Sequence, residues 1–190
     1  MSKKILYIHG LGSDANSTTF QTLKQGFLHY EWITDTFDLL DIAATKDKLQ
    51  TLLFTENIDT IVASSLGAFY ALGVENSLAK IVINPCMNPS VELPKLVEEV
   101  DTTLFRAFEL YNSGLPFTEL LLDNEMRFCT YGIFSTDDEL FSCLPDFKRL
   151  YGNRYIEVKG GHRLKGQALL SSVQSGFNYF EELNRKLRMH

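Results

Sequence analysis

The chain has 190 residues, of which 45% are hydrophobic and 22% charged, with a net charge of −6 at pH 7. Such a length and composition suit one domain with a full core and exclude a largely disordered chain. With no run of Lys or Arg longer than a pair, there is no basic face for nucleic acid, and no nucleic-acid partner is expected.

In chain order, "MSKKILYIHG" has two lysines and then four apolar residues before His9. That is too short for a secretory signal. No later stretch approaches a membrane span. The three cysteines, Cys86, Cys129 and Cys143, are far apart and lack a CxxC spacing. Reduced thiols and a cytoplasmic, membrane-free protein are expected, with no metal and no cofactor.

The run 4–10 predicts a first buried strand ending at Gly10. In "TTFQTLKQGFLHY", Phe20, Leu23, Phe27 and Leu28 recur at helical spacing, and Thr18 with Gln21 has the form of a capping box. A second strand is expected over 31–39. A helix from Thr45 follows, with Leu49, Leu52 and Leu53 inward. A third strand covers 59–65, followed by a helix to about Val74, and a fourth strand covers 79–85 and stops at Pro85.

The crossover 86–125 carries a helical pattern at Leu96, Val97, Val100, Leu104, Phe105 and Phe108, then a shorter one at Phe117, Leu120 and Leu121. It reads as a small helical cap. A fifth strand is expected over 126–135. Pro145 limits the next segment to a short helix, and 154–161 reads as a sixth strand. The tail from Gln167 is helical, with Leu169, Leu170, Val173, Phe177, Phe180 and Leu187 facing in.

Alternating strands and helices argue for a parallel sheet covered on both faces, one domain over 1–190. Ligands in such sheets bind beyond the carboxyl ends of the strands. Three of those exits carry a serine, an acid and a histidine: "SSLG" at 64–67, "STDDE" at 135–139 and "GGHR" at 160–163.

A serine hydroxyl needs a base to become a nucleophile, and the base needs a carboxylate to fix its tautomer. The turn that presents such a serine is Gly-x-Ser-x-Gly, with small flanks because strand and helix approach closely. Ser65 fits, with Ala63 in place of the first glycine and Gly67 in the second position. Ser64 would need small residues at Val62 and Leu66. Either serine could instead be a plain helix N-cap. Asp138, ahead of Asp137 and Glu139, is the candidate acid, and His162 the candidate base. The amides of Leu66 and Leu11 are candidate oxyanion donors. His9, Gly10, Cys86 and Met87 are candidate pocket residues. For His9 a ring bonded to hold its loop, and for Cys86 a plain buried thiol, are the favoured readings. His29 and His190 read as surface residues.

The pieces "YIHGLGS", "SSLGAFYA", "INPCMNPS", "STDDEL" and "GGHR", spread over nearly the whole chain, resemble the compact bacterial esterases of the YqiA/YcfP-like family. The resemblance implies a compact α/β-hydrolase three-layer sandwich with a mostly parallel sheet of about six strands. That sheet would lack the first two strands of larger hydrolases. It further implies serine esterase activity on short acyl esters through Ser65, Asp138 and His162.

The expected partner is a small-molecule ester or thioester, and the chain is expected to be a monomer or small homo-oligomer. A thioesterase is the nearest variant, and a catalytically silent hydrolase-fold binder the alternative from another class. A nucleotide-binding protein is disfavoured, since "HGLGSDANS" has neither a P-loop Lys-Ser/Thr pair nor Gly-x-Gly-x-x-Gly spacing.

Overall fold

A computed structural model describes residues 2–74, 77–96, 102–113 and 127–189. Six strands form one sheet in the order β2-β1-β3-β4-β5-β6, all parallel. They are β1 (Lys4–Ile8), β2 (Glu31–Thr34), β3 (Thr60–Ser64), β4 (Ala79–Ile83), β5 (Thr130–Ser135) and β6 (Tyr155–Val158). The six-strand parallel sheet expected from the sequence is thus present. Each strand is shorter than its apolar run. The clearest case is β2, which stops at Thr34 because the chain then peels away towards Phe37, whose amide bonds to the buried His9 ring.

Alternation along the strands feeds two separate cores. Ile5, Tyr7, Val62, Ile81 and Ile133 face α1 (Thr18–Gly26) and the C-terminal helix Gly166–Leu187. Leu6, Ile8, Ile61, Ala63, Val82 and Phe134 face the opposite layer. There lie α2 (Ile42–Thr55), α3 (Leu66–Leu72), the short α4 (Pro89–Glu92), α5 (Thr102–Ser113) and α6 (Leu144–Tyr151). The C-terminal helix is α7. Both faces of the central strands are apolar because both are covered, as a parallel sheet requires.

Several expectations shift in detail. The cap of α1 is Ser17, whose hydroxyl accepts from the Phe20 amide, so Thr18 is the first helical residue rather than the cap. Leu28, part of the expected helical spacing, and Leu187, expected inward, are 83% and 68% exposed. Both lie at the ends of their periodic patterns, where the helix has finished or runs past the sheet. Pro145 starts α6 rather than breaking it; in a first turn its missing N–H costs nothing.

In the crossover, Phe108 is fully buried against Phe69 of α3, and Tyr111 packs on both Phe69 and Tyr70. Val97, Val100, Phe117, Leu120 and Leu121 lie outside the described residues, as does His190.

The strand order reverses between β1 and β3, since β1 leads outward to β2 and the chain then returns to β3. Loops leaving adjacent strands in opposite directions open a crevice at that point. Gly10 after β1 and Ser65 after β3 meet there, so closely that a Cβ on Gly10 would sit 3.0 Å from that of Ser65.

Candidate active site

Ser65 occupies the turn between β3 and α3 with φ 52° and ψ −124°. A non-glycine residue there carries strain of about 1–3 kcal/mol, which persists only when its surroundings hold it. They do so through the backbone: the Ser65 amide donates to Ile83 O (2.9 Å), and its carbonyl accepts from Cys86 N (3.1 Å) and Ala68 N (3.1 Å). The end of β4 thus clamps both sides of the turn. Gly67 lets α3 lie directly on β1, because any Cβ there would stand 2.1 Å from His9 O. Ala63 is fully buried in the core facing α3, so its methyl is accommodated where the turn pattern usually has glycine.

His162 sits in the loop after β6, and its ring is buried between Asp138 and Ser65. Nδ1 lies 2.8 Å from Asp138 Oδ2, and Nε2 lies 2.9 Å from Ser65 Oγ. An ionised carboxylate can only accept, so Nδ1–H donates to Asp138 and Nε2 accepts from the serine hydroxyl. The structure therefore brings together the three side chains singled out in the sequence. The His162 ring meets Asp138, while Asp137 is exposed and bonds through its amide to Gly160 O at 3.1 Å.

Burial alone would raise the carboxyl of Asp138. The His162 hydrogen bond and the amides of Leu140 and Phe141 on Oδ1 outweigh it and hold the carboxyl below its usual range. The Phe141 ring packs against the imidazole in an edge-to-face arrangement, with 4.8 Å between centroids.

Three residues take supporting roles that the sequence did not assign to them. Glu139 accepts the His162 amide through Oε2 at 2.8 Å, and this bond holds its exposed carboxyl below the ordinary range. Two adjacent acids thus grip one histidine, Asp138 by the ring and Glu139 by the main chain. Asn84, at φ 43°, donates from Nδ2 to Ser135 Oγ and to His162 O, both at 2.8 Å, and accepts from Ser135 N at 2.7 Å. It ties β4, β5 and the histidine loop together. Cys86 acts through its amide on the Ser65 carbonyl. Asn84 stood at a strand exit and Glu139 in the acidic run; nothing in their spacing distinguished a strut from a solvated polar residue.

A cleft of about 730 Å³ opens beside Ser65 and His162. Gly10 and Leu11 line it, as expected for that loop, with Tyr7, Ser64, Ile83, Leu96 and Leu140 among the other walls. Neither the Leu11 nor the Leu66 amide is spent on a described backbone acceptor. His9, Cys86 and Met87 do not line this cleft. The His9 ring is buried, donating from Nδ1 to Gly10 O and accepting from Phe37 N at Nε2, both at 2.9 Å. It holds the loop that Leu11 sits on. Cys86 is a buried thiol pushed well up by burial and by the neighbouring Cys143, and Met87 belongs to the same core. Among the described residues no group of three or more His, Cys, Asp or Glu side chains could hold a metal ion, and no helix is long and apolar enough to cross a membrane.

No protein-family model matches the chain, and no curated protein matches it in sequence. Solved structures do match in shape. The ydeN gene product from B. subtilis is 19% identical at TM-score 0.67, over 93% of this chain and 100% of that one. Mouse alpha/beta hydrolase domain-containing protein 10 is 16% identical at TM-score 0.67, over 98% and 91%. Est1E from Butyrivibrio proteoclasticus, solved with ferulic acid bound, is 13% identical at TM-score 0.67, over 96% and 90%. At these identities the likeness establishes the fold.

Proposed function

With the α/β-hydrolase fold as premise, we propose that the chain is a serine hydrolase cleaving short-to-medium acyl esters through an acyl-enzyme. One observation carries this reading: the hydrogen-bonded row from Ser65 Oγ through His162 to Asp138. Ser65 Oγ attacks the ester carbonyl carbon while His162 Nε2 takes its proton. Asp138 steadies the imidazolium through Nδ1–H. The oxyanion is met by the amides of Leu66, at the start of α3, and Leu11. Each such donor is worth about 3 kcal/mol in the transition state. Collapse breaks the bond to the alcohol oxygen, which leaves with the proton from His162. Water then repeats the attack and frees the acid and Ser65.

The α/β-hydrolase neighbours, Est1E among them, and the motifs shared with YqiA/YcfP-like esterases support the same chemistry. The crossover 86–125 is short for a large lid, which favours short or medium chains over long lipids.

A fluorophosphonate probe tests the nucleophile. Labelling of the wild type but not of Ser65→Ala is expected, whereas two unlabelled proteins would point to a silent binding fold. A panel of esters and matched thioesters then separates esterase from thioesterase. A rise in kcat/KM continuing into long-chain esters would refute the chain-length preference.

A further inference from the structure

The chain is acidic, yet among the described residues that line the cleft beside Ser65 two cations, Arg163 and Lys165, face one carboxylate, Asp14. Neither cation is held in an ion pair by a described residue; among the described residues the only ion pair of this loop is between His162 and Asp138.

Two helices also begin at this cleft. α1 and α7 both follow parallel strands and pack side by side on one face of the sheet, so their N-termini sit at the same rim. Neither has an acidic residue in its first turn. The N-cap of α7, a helix of 22 residues, is Lys165, and its side chain makes no capping bond. A cation there opposes the helix dipole and forgoes what a Ser or Asp cap would contribute. Such a local conflict belongs to a functional site when a ligand supplies the missing negative charge. On the same wall, the hydroxyl of buried Tyr7 lies 3.1 Å from Ser64 Oγ. Hydroxyl groups thus stand beside the apolar walls formed by Leu11, Ile83, Leu96 and Leu140.

We infer that the ester processed in this cleft carries an anionic oxygen group, a carboxylate or a phosphate, held by Arg163 and Lys165 while Ser65 attacks. The inference rests on the serine-hydrolase reading and adds the substrate class to it.

Matched ester pairs test it. 4-Nitrophenyl hemiglutarate against 4-nitrophenyl pentanoate places a carboxylate on the acyl side. 3-Acetoxypropanoate and 3-acetoxypropyl phosphate, each against propyl acetate, place a carboxylate or a phosphate on the alcohol side. At low salt, kcat/KM for the anionic member of at least one pair should exceed that of its neutral partner about tenfold, and the pair that shows it identifies the group. The ratio should fall about tenfold in Arg163→Gln/Lys165→Gln, fall part-way in Lys165→Gln alone, and shrink in about 0.5 M NaCl.

Equal or reversed ratios in every pair, with Ser65 still labelled by a fluorophosphonate, would overturn this inference and leave the hydrolase reading standing. If Ser65 does not label, the melting temperature decides. Stabilisation by glutarate or inorganic phosphate, lost in the double variant, retains the anion site without the hydrolase; no stabilisation overturns both.

Discussion

Replacing Gly67 by alanine adds one methyl group at the contact between α3 and β1. The new Cβ would stand 2.1 Å from His9 O, 2.8 Å from Ile8 O and 2.9 Å from Ile8 Cγ2. The closest approach is about 1 Å too short, and two of the three atoms are main-chain oxygens in or beside a fully buried strand. No rotamer change relieves them, so α3 must lift off β1. Overpacking costs about 1–3 kcal/mol, and a rigid backbone partner places this site at the top of that range. The same displacement carries Ser65 and the Leu66 amide away from His162. A misplacement of about 1 Å at a reacting group costs on the order of 10² in rate. Gly67→Ala should therefore lower unfolding stability in urea by about 3 kcal/mol and kcat/KM on a short 4-nitrophenyl ester by about 10²-fold. Gly12→Ala is the control. Its Cβ meets nothing within 4 Å, so only the strain of φ +70° remains, about 1–2 kcal/mol. A Gly67→Ala protein within about 0.5 kcal/mol of wild type, with activity within twofold, would show that the contact does not set the elbow.

Asp138→Asn leaves the fold in place but removes the charge that orients the imidazole, and kcat should fall about 10³–10⁴-fold. Glu139→Gln keeps an acceptor for the His162 amide and should hold kcat/KM within about threefold, whereas Glu139→Leu should lose about tenfold, with KM little changed. Asn84→Ala strands the His162 carbonyl and the Ser135 amide and hydroxyl; a loss of about 2–3 kcal/mol in urea unfolding is expected. The acid limb of stability carries a definite sign. The carboxyl of Asp138 is lowered on folding, so its contribution is complete above the unfolded value of about 3.9 and is lost as pH falls through the folded one. The stability gap between wild type and Asp138→Asn should accordingly be larger near pH 5 than near pH 3, and a gap that widens on acidification would refute this.

Much of the fold was legible because its signals are local. Ile5–Ile8, Ile61–Ala63 and Ile81–Ile83 are apolar at every position, which only a strand covered on both faces tolerates. The small residues Ala63 and Gly67 marked a close approach of helix and strand before any partner was known. The Ser65, Asp138 and His162 trio was readable because a parallel sheet collects its strand exits on one edge, whatever the distance along the chain. The ends of elements were less legible: Leu28 and Leu187 continue a periodic pattern past the point where the sheet can cover them.

The order of elements, the two-sided burial and the candidacy of Ser65, His162 and one acid of the run 137–139 follow from amino-acid types, since each depends on spacing within a short segment. Which acid faces the imidazole, what clamps the strained serine and which charges gather in the cleft were decided only when distant segments met. Asp137, Asp138 and Glu139 are chemically alike. The direction each one points is set by the β5 exit and by the loop after β6, which bonds to it from more than twenty residues away.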